Sequence, residues 1–549
     1  MVLNTIVLTR IQTSSDTCWP SLSEWESFNQ TISGKLIRTV PLASVCYKSE
    51  PNYNEDSCNI VLSNWTTWEL HSSDPTSVPS SPSLKGCEPI YSNGTSINGD
   101  PDAGIKGCSS GFLPPYVVNA TDSGDIQRAL AFAKDRNLRL AIKNTGHNGS
   151  GRNLGFGSLS IWTHNMKQTQ FHEQFKSLSC PANSTWKGSQ MAITIGAGVQ
   201  DGELYDFAQK HNVVAVGGTN MDVGVVGWAT GGGHGHLTGE YGMGADSILE
   251  ASVVTPNGDL VTVNACQNED IYGRFVEAEV SWWKFVAKLH TLLPALQDQG
   301  IKGYYTIAGP PSSATVGMSG SLFAWNMSND TVAKSVTPIR QLISNSSGIV
   351  SGSVQVVPIP SFYALLTGIK IPDHAGGFGI TAARLISRKT VTENEESLAE
   401  VLEQVGPQAI APTNGTPNPS MSGTMTISQV PVDNALNPAW RDSVVHLITS
   451  QSWTDSTPNT TVSTLVNEMT YNKLNILREL NPETGTYLNE ANAIEPGWQW
   501  SFFGPNYGRL RSIKEKYDPE GLLWCPQCVG SEEWLESEDG NLCRASKPF

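Results

Sequence analysis

Residues 142–164, IKNTGHNGSGRNLGFGSLSIWTH, set one imidazole, His147, inside a run of small, turn-forming residues that leads into an apolar strand. Gly146, Gly149 and Gly151 permit positive backbone angles and close approach, so the peptide N–H groups of Asn144, Thr145, Gly146, His147, Asn148, Gly149 and Ser150 can converge on an anion such as a diphosphate. Lys143 would add positive charge. Such a loop is common in ordinary turns, and a second cluster sharpens it. VGGTNMDVGVVGWATGGGHGHLTGEYGMGAD carries Gly217, Gly218, Gly224, Gly227 and Gly231 to Gly233, more glycine than a packed strand and helix tolerate. Two separated loops that both admit close backbone approach suit an extended, two-ended ligand, as a dinucleotide is. The pair His234 and His236 has the spacing of metal ligands but no obvious carboxylate partner, and we expect no metal site.

The elements that must position these loops can be read nearby. PYVVNA is a short β-branched strand, Asp122 or Ser123 can cap a helix with Ile126, Ala129, Leu130 and Ala133 on one face, and LRLAIKN gives a second strand. MAITIGAGVQ reads as a strand and DGELYDFAQKHN as a helix, while ILEASVVTPNGDLVTVNA alternates about an Asn257-Gly258 turn as a hairpin does. Residues 281–297 predict one amphipathic helix with Phe285, Val286, Leu289, Leu293 and Leu296 inward. Turn-rich breaks are expected at 309–320 and 405–424. No internal repeat is present.

At 549 residues the chain is long enough for two or three compact units that enclose a large ligand between them. Its formal charge of −16 repels a phosphate backbone, and no apolar run is long enough to span a bilayer, so neither nucleic acid nor membrane is an expected partner. Cys18, Cys46, Cys58, Cys87 and Cys108, with Cys525, Cys528 and Cys543, are spaced irregularly among Ser, Pro and Asn, which reads as disulfides. WCPQC lies at the chain's tail rather than in a βαβ unit, so a disulfide is expected there too. Eleven N-x-S/T sequons, including Asn29, Asn64, Asn93, Asn119, Asn183 and Asn345, point to a secreted glycoprotein. The opening MVLNTIVLTR does not itself read as a secretory leader.

IKNTGH with GSLSIWTH, VGG and GGGHG, and NYGRLRSIKEKYDP with CVGSEEW, together resemble the fungal oxygen-dependent FAD-linked oxidoreductases of the berberine bridge enzyme-like group. These belong to the vanillyl-alcohol oxidase superfamily, whose FAD-binding domain is of the PCMH type. The likeness runs from CWPSLSEWESFN near residue 18 to residue 534. It implies an α+β fold: a two-part FAD-binding domain and an α+β substrate domain with an antiparallel sheet. The corresponding divisions are a lead-in at 1–112, an FAD-binding domain at 113–280, a substrate domain at 281–485 and a closing segment at 486–549. It also implies a flavin joined covalently to His147 through its 8α-methyl carbon. The cofactor site then comprises Lys143 to Ser150, Gly217, Gly218, Thr219, Asn220, Val223, Gly224, Gly227, Gly232 and Gly233, with Asn506 and Tyr507 closing over the flavin. Asn220 stands where some relatives carry a second, cysteine tether, so one attachment is expected. His234 is given a structural role.

The stretch YLNEANAIEPGWQ resembles the active-site lining of carbohydrate-oxidising relatives, in which a tyrosine is the base. Glu490 matches that position, with Tyr487 and Asn489 beside it, and either Glu490 or Tyr487 suits base work. The implied protein is a monomeric FAD-dependent oxidase that removes hydride from an alcohol or C–H centre of a small molecule and passes electrons to oxygen. The molecule is a fungal secondary metabolite, a sugar or a simple alcohol. After NACQNED the pattern departs: relatives continue with Ala-Leu-Arg and a glycine-rich strand behind the flavin, whereas this chain reads IYGRFVEAEVSWWKFVAKLH. That departure leaves open a fold retained as a silent scaffold, and a dehydrogenase that avoids oxygen is a third reading.

Overall fold

The computed structural model describes residues 19–78, 86–148, 151–176, 190–264, 282–347, 350–368, 378–412, 416–430, 434–537 and 541–545. The departure after Asp270, and Gly149 and Ser150 of the histidine loop, lie outside them.

Helix α1 (Leu22–Thr31) and strand β1 (Leu36–Arg38) come from the cysteine-rich lead-in, yet β1 pairs antiparallel with β2 (Tyr116–Asn119). The lead-in is thus not only a stapled run of loops, because its first helix supplies core residues. Trp25 and Phe28 are buried, and Phe28 stacks on Phe132 at 4.1 Å between ring centroids. Helix α2 (Ser123–Asp135) starts where Asp122 accepts the N–H of Asp125 at 3.0 Å, and it buries Ala129, Leu130 and Ala133 as the periodicity predicts. It connects β2 to β3 (Leu140–Lys143), and both run parallel to β4 (Leu159–Trp162), which lies between them. The histidine loop leaves β3 at Lys143, the C-terminal end of parallel strands, where open sheets leave room for ligands.

The remainder of this lobe holds two hairpin-like pairs, β5 (Thr169–Phe175) with β6 (Gln190–Ile195) and β7 (Glu250–Val254) with β8 (Leu260–Asn264). Helix α3 (Asp201–Lys210) precedes the second glycine cluster, and α4 (Val225–Thr230) lies within it. Gly258 in the β7–β8 turn takes φ +86°, as an Asn-Gly turn requires.

The expected helix over 281–297 is two helices, α5 (Trp282–His290) and α6 (Leu293–Asp298). Pro294 lacks a donor and its ring would collide with the carbonyl of His290, so the first helix ends there and the second begins around the proline. Strands β9 (Ile301–Ala308), β10 (Gly317–Ala324), β11 (Phe378–Ser387), β12 (Ser420–Thr424) and β13 (Ser443–Trp453) form one antiparallel sheet in the order β10-β9-β12-β13-β11. Two of these lie within or beside the stretches expected to be turns. Gly423 of β12 packs so closely on Tyr305 that an added Cβ would sit 2.0 Å from its ring. Helix α7 (Glu395–Val405) seals this sheet's core with buried Leu398, Leu402 and Val405. The fold is α+β.

Among the described residues, disulfides join Cys46 to Cys58, Cys87 to Cys108 and Cys525 to Cys528. No helix among the described residues is long and apolar enough to cross a membrane.

Candidate active site

His147 stacks on Trp68 with ring centroids 3.6 Å apart and planes 17° from parallel. Its Nε2 lies 3.0 Å from Asp222 Oδ2. Asp222 is itself fixed, since Oδ1 accepts the Ser72 hydroxyl at 2.8 Å and the Gln200 amide at 2.6 Å. The imidazole is therefore held in plane and in rotation by groups from three distant segments.

Around it the backbone is shaped for a polar ligand. Gly146 takes φ +101°. Gly224 has no room for a Cβ, which would sit 2.2 Å from Asn144 Nδ2, while Asn144 donates to the Ala197 carbonyl at 2.8 Å. Asn144 Oδ1, Arg152 Nη2 and both side-chain polar atoms of Asn153 are buried without a partner among the described residues. Each such atom costs about 1–3 kcal/mol until something polar meets it. A loop with orphaned donors and acceptors beside a positioned imidazole fits the diphosphate and ring system of FAD.

Glu490 is the centre of the second half. Its Oε1 lies 3.0 Å from His234 Nε2 and its Oε2 3.3 Å from His446 Nδ1. His234 Nδ1 is 3.2 Å from the Tyr304 hydroxyl, which is 3.1 Å from Thr426 Oγ1. Burial would raise the Glu490 carboxyl, but the charge and hydrogen bond of His234 and those of His446 outweigh it and hold the carboxyl well below the usual range. Although it lies deep between the lobes, 34 % of its side-chain surface is open. Its Oε2 is nonetheless sealed from solvent. A small cavity of about 40 Å³ lies next to the neighbouring backbone, lined by Gly231, Gly232, Leu436, Asn437, Trp440, Thr486, Leu488, Phe502 and Phe503, and Glu490 is not part of its wall.

Other expected site residues have other duties. Lys143 is fully buried and donates to the carbonyls of His71 at 3.0 Å and Asp74 at 2.6 Å, so its ammonium braces the lead-in instead of adding charge to the loop. Burial pushes it down to about 8. The face that a side chain at Gly217 or Gly218 would occupy is filled by the Asp201 carboxylate, 2.6 Å from either added Cβ. These two glycines answer to helix packing as well as to any ligand. Thr145 is buried, Asn148 donates its N–H to Gly146, and the Asn220 side chain accepts the Asp222 N–H at 2.9 Å. Thr219 is half-buried, Val223 packs on the α4 cluster, and Gly227 has open space beside it. Gly232 and Gly233 take φ +123° and +70°.

Tyr487 donates to the Trp228 carbonyl at 3.3 Å, and Asn489 donates to the Tyr487 hydroxyl at 2.9 Å. Burial, and then the Glu490 charge, push the phenol of Tyr487 far up, so it is held neutral. Asn506 reaches the Leu436 carbonyl at 3.2 Å, at the cavity wall. Tyr507 instead turns its hydroxyl away to Glu532 at 2.6 Å, where the ion pairs of the closing segment hold it. Sequence reasoning missed Trp68, Asp222, Tyr304 and His446, and it gave His234 a merely structural part. Only GGGHG carried a signal for any of these.

A lobe of parallel strands that carries the histidine loop, beside a five-stranded antiparallel sheet, is an architecture suited to a flavoprotein. A family described as FAD binding domain matches residues 114–264, and one described as berberine and berberine like matches 486–530. An uncharacterised FAD-linked oxidoreductase of Arthroderma benhamiae is 32 % identical over 576 residues, covering 97 % of this chain and 95 % of its own. The VAO-type flavoprotein oxidase VAO615 of Thermothelomyces thermophilus is also 32 % identical, covering 96 % and 94 %. The crystal structure of the VAO-type flavoprotein MtVAO713 from Myceliophthora thermophila superposes with a TM-score of 0.87 at 29 % identity, over 98 % of this chain and 100 % of that one. The chain belongs to the berberine bridge enzyme-like FAD-linked oxidoreductases of the vanillyl-alcohol oxidase superfamily, and FAD is its cofactor.

Proposed function

We propose that this protein is a secreted, monomeric oxidase that holds FAD covalently at His147 and removes hydride and a proton from an apolar alcohol or C–H centre, with oxygen as the final acceptor and hydrogen peroxide as product. FAD supplies the two-electron acceptor for the hydride. With Nε2 occupied by Asp222, Nδ1 of His147 is the nitrogen assigned to the cofactor bond. Asn144, Arg152 and Asn153 would satisfy their orphaned atoms on its polar portion.

Glu490 takes the substrate proton. The observation that carries this reading is a carboxylate set between two imidazoles, 3.0 Å from His234 Nε2 and 3.3 Å from His446 Nδ1, on a side chain that is 34 % accessible. The small cavity near Tyr487 is walled by Leu436, Trp440, Leu488, Phe502 and Phe503 together with Thr230, Asn437 and Thr486, and this mostly apolar wall favours an apolar metabolite over a sugar, whose hydroxyls need many polar partners. Exposed sequon residues Asn93, Asn326, Asn345 and Asn459 and the disulfides among the described residues support secretion.

Rapid mixing with a panel of apolar alcohols and phenols, without oxygen, tests it. Bleaching of the flavin followed by peroxide formation on admitting air is expected. Glu490→Gln should slow bleaching by about 10²–10⁴-fold while the flavin stays bound. Bleaching at an unchanged rate in that variant would remove Glu490 from the chemistry.

A further inference from the structure

The WCPQC motif near the chain's end forms a turn that touches the FAD-binding lobe. Cys528 donates its N–H to the Cys525 carbonyl at 3.2 Å, and the disulfide between the two closes the same four-residue loop, with Cα atoms 5.4 Å apart. Pro526 and Gln527 are the central residues, and Gln527 takes φ +55°. Proline followed by a left-handed residue is the signature of a type II turn, whose third position usually falls to glycine. The Gln527 side-chain oxygen is buried without a hydrogen-bond partner among the described residues, so it does nothing to hold that angle. In a type I turn, which glutamine adopts without a left-handed angle, the peptide between Pro526 and Gln527 is turned over and its carbonyl points the opposite way. The turn as built aims that carbonyl at Arg152, whose Nε donates to it at 3.1 Å.

Arg152 lies five residues after His147 and bridges three distant segments. Its Nη1 donates to the Leu488 carbonyl at 3.2 Å, two residues before Glu490, and its guanidinium lies 5.6 Å from the centre of the Phe502 ring. Leu488 and Phe502 both line the small cavity, so Arg152 braces that wall from behind. Burial pushes the guanidinium down to about 10, and no carboxylate among the described residues offsets it. Arg152 is therefore placed by two carbonyls and a ring rather than by an ion pair.

We propose that Arg152 is a positioning residue that ties the loop of His147 to the segment of Glu490, and that the Cys525–Cys528 turn is the clamp that keeps it there. The proposal rests on the reading of His147 as the tether and Glu490 as the base, because Arg152 fixes the one relative to the other. Breaking the disulfide opens the clamp. A dithiol gives it two electrons and two protons, the S–S bond becomes the thiols of Cys525 and Cys528, and the dithiol closes to a disulfide of its own. Gln527 is then free to leave the left-handed region, and the Pro526 carbonyl swings off Nε. Arg152 loses one of the two carbonyls that aim it. Both cysteines are half-buried, so a small dithiol can reach them.

Hydrogen exchange of the flavin-loaded, full-length protein, read by mass spectrometry, tests this without a substrate. Arg152→Lys keeps the charge but loses the planar fork, and it should speed exchange of the peptides spanning 151–156 and 486–492 by about tenfold. The double variant Cys525→Ser/Cys528→Ser should do the same. So should the parent treated with dithiothreitol until alkylation marks both cysteines. Combining Arg152→Lys with the serine pair should go no further, because one coupling is lost only once. Adding Gln527→Gly to the serine pair leaves the left-handed angle unstrained and should restore protection in both peptides. Dithiothreitol should leave these peptides unchanged in the serine variant, which still holds the disulfides of the lead-in. If the variants do not fold, the dithiothreitol arm on the folded parent decides. Disulfide loss that loosens only the closing segment overturns the proposal, as do additive effects of Arg152→Lys and the serine pair, or a Gln527→Gly that restores nothing. An unmodified His147, or a Glu490→Gln variant that reduces its flavin at the parent's rate, would defeat the functional reading instead, and the exchange rates still decide whether Arg152 is clamped.

Discussion

Asp222 Oδ2 meets His147 Nε2 at 3.0 Å from a segment 75 residues further along the chain. That contact makes the proposed tether a pair rather than a lone histidine. A carboxylate on Nε2 fixes the ring's orientation and raises the electron density of the nitrogen that bonds. A hydrogen bond to a charged group is worth about 1.5–3 kcal/mol. Asp222→Ala should therefore slow covalent flavin incorporation by about ten- to a hundredfold, read as protein-bound fluorescence after denaturing electrophoresis.

Gly224→Ala should weaken cofactor retention without touching His147. Its methyl would meet Asn144 Nδ2 and break that side chain's 2.8 Å bond to Ala197. Overpacking of this kind costs about 1–3 kcal/mol, visible in thermal unfolding. Gly227→Ala, which has open space beside it, should be nearly silent in the same assay.

Asp246 beside the glycine cluster and Arg441 beside β13 form a two-pronged pair, both bonds at 2.7 Å, with side chains 3 % and 4 % exposed. This pair pins the FAD-binding lobe to the substrate sheet. Asp246→Ala leaves a buried guanidinium without its carboxylate and should cost about 3–5 kcal/mol in denaturant unfolding, whereas replacing both partners with apolar residues should recover much of it.

Asp201 predicts a pH dependence of stability. Burial raises its carboxyl from 3.8 to about 7, and both oxygens lack a hydrogen-bond partner among the described residues. Above 3.8 the unfolded chain has released this proton while the folded chain keeps it. Its contribution to stability is thus complete below about pH 4 and is lost as the pH rises through about 7. Asp201→Asn should flatten that decline in melting temperature, and an unchanged slope would exclude Asp201 as its source.

The parts of this fold visible in the sequence are those whose local pattern agrees with their final place. β2, α2 and β3 follow from branched apolar runs and the Asp122 cap, and the β7–β8 turn from Asn257-Gly258. β10 and β12 are hidden because GMSGSLFA and SMSGT are built of small residues, chosen for close strand packing around Tyr305 rather than for alternation. The histidine loop and Glu490 were legible through family motifs. Tyr304, His446 and Asp222 were not, because β9, β13 and the glycine cluster meet only through sheet register and lobe packing, and none of these residues stands in a distinctive local pattern. Lys143 shows the opposite failure: a cation next to a glycine loop invites an anion, but its side chain points to the other side of the sheet end, toward the carbonyls of His71 and Asp74.

The central claim is tested most directly by mass spectrometry of peptides from acid-precipitated protein. The account predicts that the peptide holding His147 carries the mass of FAD, that the precipitate stays yellow, and that His147→Ala yields a colourless one. An unmodified His147 peptide, with all flavin released into the acid supernatant, would contradict it.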